Sequence, residues 1–252
     1  MSEPAVAIVT GACRGMGLAI SAQLARDGFR VYGIDVLQAP LDTAFAELKS
    51  AGLDVIALPL DLRDEAAVNA LPQRLGADYG RIDVLVNNAA VSPKSNGRKT
   101  AFVDLSLADW DAVMGVNLTG TFLMSRICLP PMIARKFGRI INNSSVGGKT
   151  VIGVAVASYN ASKAGMLGLT RALAMEVAPL GVTVNAICPG RIETAMTSEA
   201  VPETNANLLK RTPVGRFGTT QEIADLVSFL ASRRSSFITG AAMDINGGLA
   251  MV

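Results

Sequence analysis

The sequence predicts one α/β domain over residues 1–252: a doubly wound, seven-stranded parallel sheet with helices on both faces. Three observations predict it. Short apolar runs rich in Val and Ile recur along the whole chain, helix-period stretches separate them, and no linker, composition shift or internal repeat divides the 252 residues. Such folds reach about 250 residues as a single unit.

Ala5–Thr10 is the first expected strand, nearly continuous in apolar residues, as strands covered on both faces are. Met16, Ile20 and Leu24 then recur at helical spacing and share one face. Further strands are expected at Arg30–Ile34, Val55–Leu60, Val84–Asn87, Arg139–Asn142, Val182–Ile187 and Ala242–Ile245. Helical patterns cover Asp64–Tyr79, Leu107–Lys136, Ser158–Ala178 and Thr220–Ala231. This alternation means βαβ crossovers, hence a parallel sheet. Pro189–Arg216, with three prolines and many polar residues, reads as a loop or lid.

Composition excludes much chemistry. The chain has no histidine, so a Ser-His-Asp triad, a Cys-His pair and the His-based zinc and iron sites are impossible. Acid-base work falls to Tyr, Lys, Asp, Glu or Cys. Charge is near balance, 23 Lys plus Arg against 21 Asp plus Glu, which predicts no nucleic-acid footprint. Cys13, Cys128 and Cys188 are too scattered for a disulfide framework or a metal site. With no basic-then-apolar leader and no apolar run of about 18 residues, the expectation is a cytoplasmic protein with no membrane segment.

The first strand runs straight into Thr10-Gly11-Ala12-Cys13-Arg14-Gly15-Met16-Gly17, which opens a helix. A dinucleotide pyrophosphate needs such a turn, because it must approach main-chain N–H groups that side chains would block. A glycine-rich turn alone is equally a tight bend. Context adds Asp35, eighteen residues past Gly17 at the end of the second strand, where a carboxylate accepts the ribose hydroxyls of NAD and repels the 2′-phosphate of NADP. Arg14 could pair with that phosphate, so NAD is the expected cofactor and NADP the alternative. Tyr159 and Lys163, four apart on an expected helix, project from one face, and an ammonium beside a phenol favours phenolate.

With five further segments in order, this pattern resembles the short-chain dehydrogenase/reductase family. The segments are Asp61-Leu62, Asn87-Asn88-Ala89-Ala90, Asn117 within Val116–Gly120, Ser144-Ser145 ahead of Tyr159-Asn160-Ala161-Ser162-Lys163, and Pro189-Gly190-Arg191-Ile192-Glu193-Thr194. Ala90 stands where the family usually has glycine. The resemblance implies a Rossmann-like fold and hydride transfer between a nicotinamide and a secondary alcohol or ketone.

It also implies roles. Gly11, Arg14, Gly15, Met16 and Gly17 would line the cofactor phosphates, Asp61 and Leu62 the adenine, and Asn88 and Ala89 the adenosine ribose. Pro189, Gly190, Ile192 and Thr194 would hold the nicotinamide end. Tyr159 would be the acid-base, Ser145 would hold the substrate oxygen, Lys163 would bind the nicotinamide ribose, and Asn117 would anchor a water leading from Lys163 to solvent. Ser145 is preferred to Ser144 because its 14-residue spacing to Tyr159 lies closer to the family pattern and Ser145–Gly148 fits Ser-x-x-Gly.

Substrate contacts would come from 91–100, 146–157 and 193–216. Lys94, Arg98 and Lys149 there suggest a small polar or anionic substrate such as a sugar, sugar acid or hydroxy acid, although charged loops are often only solvated. Two other readings stay open: a 3-oxoacyl-carrier-protein reductase using NADPH, and a non-catalytic dinucleotide-binding scaffold. The resemblance further implies a homo-oligomer, commonly a tetramer, and metal is not expected.

Overall fold

The computed structural model describes residues 4–93, 99–151, 153, 155–194 and 202–252. Seven strands form one sheet in the order β3-β2-β1-β4-β5-β6-β7, all neighbours parallel. They are β1 (Val6–Thr10), β2 (Arg30–Asp35), β3 (Val55–Pro59), β4 (Ile82–Asn87), β5 (Gly138–Asn143), β6 (Val182–Pro189) and β7 (Ala242–Ile245). The expected fold class and the number of strands therefore hold.

Alternate residues of each strand feed two apolar layers. Val6, Ile8 and Ile34 pack with Leu123, Met124, Cys128 and Met132 on one face. Ala7, Val9 and Val86 pack with Ile20, Leu24, Phe45, Ile223 and Val227 on the other. The second layer is built by helices α1 (Gly15–Arg26), α2 (Gln38–Ser50) and, near the C-terminus, the last helix, Thr220–Ala231.

The expected helix over 64–79 is broken into α3 (Glu65–Asn69), α4 (Leu71–Leu75) and a 3-10 turn, Gly76–Arg81. Gly76, at φ 56°, ends α4 in a conformation that L side chains avoid. The long expected helix over 107–136 is α5 (Leu107–Met114), a π-helical turn at Gly115–Thr119, and α6 (Gly120–Ala134). This run is apolar and long enough to cross a membrane by length and composition. Instead Leu123, Met124, Cys128 and Met132 lie in the core, so its hydropathy is accounted for by packing on the sheet. Next comes α7 (Ala157–Val177). The region expected to be a loop after β6 contains α8 (Pro202–Lys210), and α9 (Thr220–Ala231) follows with a capping box between Thr219 and Glu222.

The chain winds outward from β1 to β3 and then reverses from β4 to β7. The reversal opens a crevice at the carboxyl ends of β1 and β4, where open parallel sheets bind ligands.

Candidate active site

The glycine-rich turn lies at that crevice. Gly11 has φ +66°, and a Cβ on it would sit 2.8 Å from the Ala89 Cα. A Cβ on Gly17 would sit 2.0 Å from the Gly11 carbonyl oxygen, so only glycine lets α1 start this close to β1. Helix α1 has no side-chain cap and no acid in its first turn. Its first N–H groups and dipole are thus left for an anion, whereas Ser106 and Thr219 cap α5 and α9. These features fit a dinucleotide pyrophosphate.

Thr10 braces the neighbouring loop: its hydroxyl accepts the N–H groups of Asn88 and Ala89, both at 3.0 Å. Asn88 Nδ2 returns two bonds, to the Thr10 and Gly11 carbonyls at 2.9 and 3.1 Å. At the end of β2, Asp35 Oδ2 accepts the Cys13 N–H at 3.2 Å and Oδ1 accepts the Leu37 N–H at 3.1 Å. The carboxylate is thereby fixed beside the glycine-rich turn, in which Arg14 is exposed. Burial, and secondarily Asp35, pushes the Cys13 thiol up to about 11, which keeps it protonated and unreactive. Asp61 is gripped by Arg63 at 2.6 Å, which holds its carboxyl below the usual range. Leu62 is buried in the apolar core.

The 189–194 segment closes the other end. Pro189 ends β6, Gly190 donates to the Ile245 carbonyl at 3.0 Å, and buried Ile192 bridges to Gly218. Thr194 returns over the glycine-rich turn, its methyl 3.5 Å from where a Cβ on Gly15 would lie.

Beyond the ends of β4 and β5 lie the residues suited to proton chemistry. Ser145 Oγ accepts the Gly147 N–H at 3.0 Å and neighbours the Tyr159 phenol. Ser144 faces away, donating to the Lys163 main-chain carbonyl at 2.9 Å. The two serines thus divide into one at the phenol and one that ties α7 to the end of β5.

Lys163, 1% exposed, donates from Nζ to the Asn143 carbonyl at 2.6 Å and lies 5.7 Å from the centre of the Tyr159 ring. Burial drives its pKa down to about 7. Tyr159 is half-buried, and desolvation raises its pKa while the Ser145 hydroxyl opposes the rise.

Asn117, in the π turn, uses its carboxamide on the main chain of Val91: Oδ1 accepts the N–H at 2.8 Å and Nδ2 donates to the carbonyl at 3.1 Å. Nδ2 also reaches Ser162 Oγ at 3.0 Å, one residue before Lys163.

The cations expected at the substrate fare differently. Lys149 Nζ donates to Asp244 at 2.8 Å and to the Ala242 carbonyl at 2.9 Å, so its charge is spent on β7. Lys94 and Arg98 lie outside the described residues.

Sequence reasoning passed over Asn143, which carries the Lys163 contact and whose Nδ2 donates to Asn88 Oδ1 at 2.8 Å. A signal was present: paired asparagines, Asn87-Asn88 and Asn142-Asn143, follow the apolar runs Val84–Val86 and Ile140-Ile141.

Residues 11–250 match the family profile described as enoyl-(acyl carrier protein) reductase. The chain belongs to the short-chain dehydrogenase/reductase family. Within this family it is 38% identical over 248 residues to the 3-oxoacyl-(acyl-carrier-protein) reductase FabG of Thermotoga maritima, covering 98% of each chain. A 3-oxoacyl-(acyl-carrier protein) reductase from Brucella melitensis, with bound NAD, superposes at a TM-score of 0.92 with 37% identity, covering 98% of this chain and 92% of that one. A putative gluconate dehydrogenase from Agrobacterium tumefaciens gives 0.91 with 32% identity, covering 98% and 97%. This family member is a nicotinamide-dependent short-chain oxidoreductase acting between CH–OH and keto groups.

Proposed function

We propose that this enzyme reduces a 3-oxoacyl thioester to the 3-hydroxyacyl product. The supporting observation is a likeness of more than a third identity, over nearly the full length of both chains, to reductases of that name. It replaces the small polar substrate as the first reading, because Lys149, one of the three cations behind that expectation, is committed to Asp244.

Tyr159 is the proton donor to the carbonyl oxygen, and a phenol kept protonated by burial suits reduction. Ser145, adjacent to it, holds the same oxygen as negative charge develops. When bound, the nicotinamide supplies the hydride. Lys163, its pKa brought down to about 7 by burial, hands on a proton after Tyr159 gives one up, and it would hold the nicotinamide ribose. Asn117 positions this end of α7 through Ser162 and fixes the segment after β4 through Val91; a water relay from Lys163 would start beside it.

For the cofactor, we propose a preference for NAD(H), supported by the fixed Asp35 carboxylate and by the bound NAD of the Brucella reductase. Arg14 keeps NADP(H) as the competing choice. Gly11, Gly15, Met16 and Gly17 would meet the phosphates, Asp61 and Leu62 the adenine, Asn88 and Ala89 the ribose beside it, and Pro189, Gly190, Ile192 and Thr194 the carboxamide.

Asp35 and the likeness to the putative gluconate dehydrogenase favour a second reading, NAD-dependent oxidation of a polar secondary alcohol. An absorbance assay with a 3-oxobutanoyl thioester and with gluconate, each with both cofactors, separates them. Turnover of the thioester is expected to exceed that of gluconate; the reverse order sinks the first reading. We also propose a cytoplasmic homotetramer, since Phe237, Met175, Phe102 and Val103 are exposed apolar groups suited to interfaces. A monomeric mass by light scattering refutes the tetramer.

A further inference from the structure

Helix α8 is anchored differently at its two ends. Its C-terminal end is packed: Leu208 is 2% exposed, the Thr212 hydroxyl donates to the Leu208 carbonyl at 2.9 Å, and the Val214 N–H donates to the Gly247 carbonyl at 3.1 Å, in the segment after β7. In its first turn, Asn205 Oδ1 accepts two bonds from the Arg191 guanidinium, from Nε at 3.1 Å and from Nη2 at 2.7 Å. A guanidinium carries donors alone, so the carboxamide must turn its oxygen toward it.

Arg191 belongs to the strip that closes the nicotinamide end of the crevice. There the Gly218 N–H donates to the Arg191 carbonyl at 3.0 Å, and the Glu193 N–H donates to the Gly218 carbonyl at 2.8 Å. With the bond from Gly190 to Ile245, these main-chain contacts fix the strip through groups other than the Arg191 side chain. The guanidinium of this half-buried residue reaches α8, 14 residues along the chain.

The helix depends on such anchors. It has nine residues, and Glu203, Ala206, Asn207, Leu209 and Lys210 are exposed. A helix this short is marginal without tertiary contacts, and a hydrogen bond from a charged donor is about twice as strong as a neutral one. We infer that Arg191 is a positioning residue: through Asn205 it makes the first turn of α8 follow the strip that holds the nicotinamide, so that cofactor binding also sets the wall of the substrate space. The inference rests on the dinucleotide reading of the site, and it gives a role to a residue to which neither the motifs nor the mechanism assigns one.

Amide hydrogen exchange across α8, read by mass spectrometry on the whole protein with and without NADH, tests it. In the wild type, saturating NADH should slow exchange in α8 by about tenfold. Asn205→Ala keeps a good helix former in place; there the slowing should fall below about twofold while NADH affinity by titration stays within about threefold of wild type. Asn205→Asp, which gives the guanidinium a two-oxygen acceptor, should recover the protection. Arg191→Met should match Asn205→Ala, and the double variant should be no worse than either single one. With whichever of the 3-oxobutanoyl thioester and gluconate the wild type turns over, Asn205→Ala should raise KM about tenfold at a kcat within about twofold. NADH that binds without protecting α8, protection that survives in Asn205→Ala, losses that add in the double variant, or a KM within about twofold of wild type each overturn the inference. Wild-type protein that shows the protection but turns over neither substrate overturns the proposed reaction and supports the Arg191–Asn205 link. Wild-type protein that binds no NADH overturns the dinucleotide reading, and the inference with it.

Discussion

Ser144 Oγ donates to the main-chain carbonyl of Lys163 at 2.9 Å, so the hydroxyl next door to the proposed catalytic one is a tie between β5 and α7. The serines should therefore fail in different ways. Ser145→Ala should cost about 100-fold in kcat with little change in melting temperature, as loss of one donor to a developing oxyanion does. Ser144→Ala should instead lower stability by about 1 kcal/mol, because it removes a buried hydrogen bond that ties β5 to α7. Steady-state kinetics and urea unfolding read the two effects, and the opposite pattern would show that Ser144 is the catalytic one.

Tyr159→Phe removes the proton donor and leaves the ring's packing in place. Turnover should fall by about a thousandfold or more, while NAD affinity by titration stays near wild type. Substantial residual turnover would transfer the acid role to another group.

Lys163 offers a stability test. Its native pKa of about 7 lies below the ordinary 10.5, so burial disfavours the charged form. Below about pH 7 both states are protonated and the fold carries the full cost of the buried ammonium. Between about 7 and 10.5 the unfolded chain binds a proton that the native state does not, so stability rises with pH. Lys163→Met should abolish turnover, remove that slope, and make the cofactor-free protein more stable at neutral pH by an amount on the order of 4 kcal/mol. Parallel unfolding curves for both proteins across the window would refute this.

Asp35→Ala removes the charge that would face a 2′-phosphate. The ratio of kcat/KM for NADH over NADPH should fall by about tenfold or more, chiefly through better use of NADPH. An unchanged ratio would place discrimination elsewhere, with Arg14 the first residue to examine.

Lys149→Ala breaks the contacts to Asp244 and Ala242 and is expected to cost about 1–2 kcal/mol of stability. KM for the best substrate should stay within about twofold of wild type. A large rise in KM would return Lys149 to the substrate site.

What could be read in advance was whatever is encoded locally. Strands buried on both faces announce themselves as apolar runs, and the glycine turn, Asp35 and the Tyr159–Lys163 pair depend on spacing within one or two elements. Helix α2 gave little signal because only Leu41 and Phe45 of its thirteen residues are buried. The break at Gly76 and the π turn at Gly115–Thr119 interrupt patterns that otherwise keep helical period. The partner that occupies Lys149 is Asp244, on a strand far along the chain, and no local pattern links them. Asn143 was obscured differently: its importance arises only where β5, the glycine turn and α7 converge.

The order of the sheet also governs how this chain comes into being. Val6 pairs with Arg30 on one side but with Ile82 on the other, so one edge of the first strand made stays bare while β2 and β3 are synthesised. Parallel pairing across such a span is slow, and a bare edge invites association with other chains. The crevice straddles this late-closing seam between β1 and β4, so a dinucleotide that binds there draws the folding equilibrium toward the closed sheet.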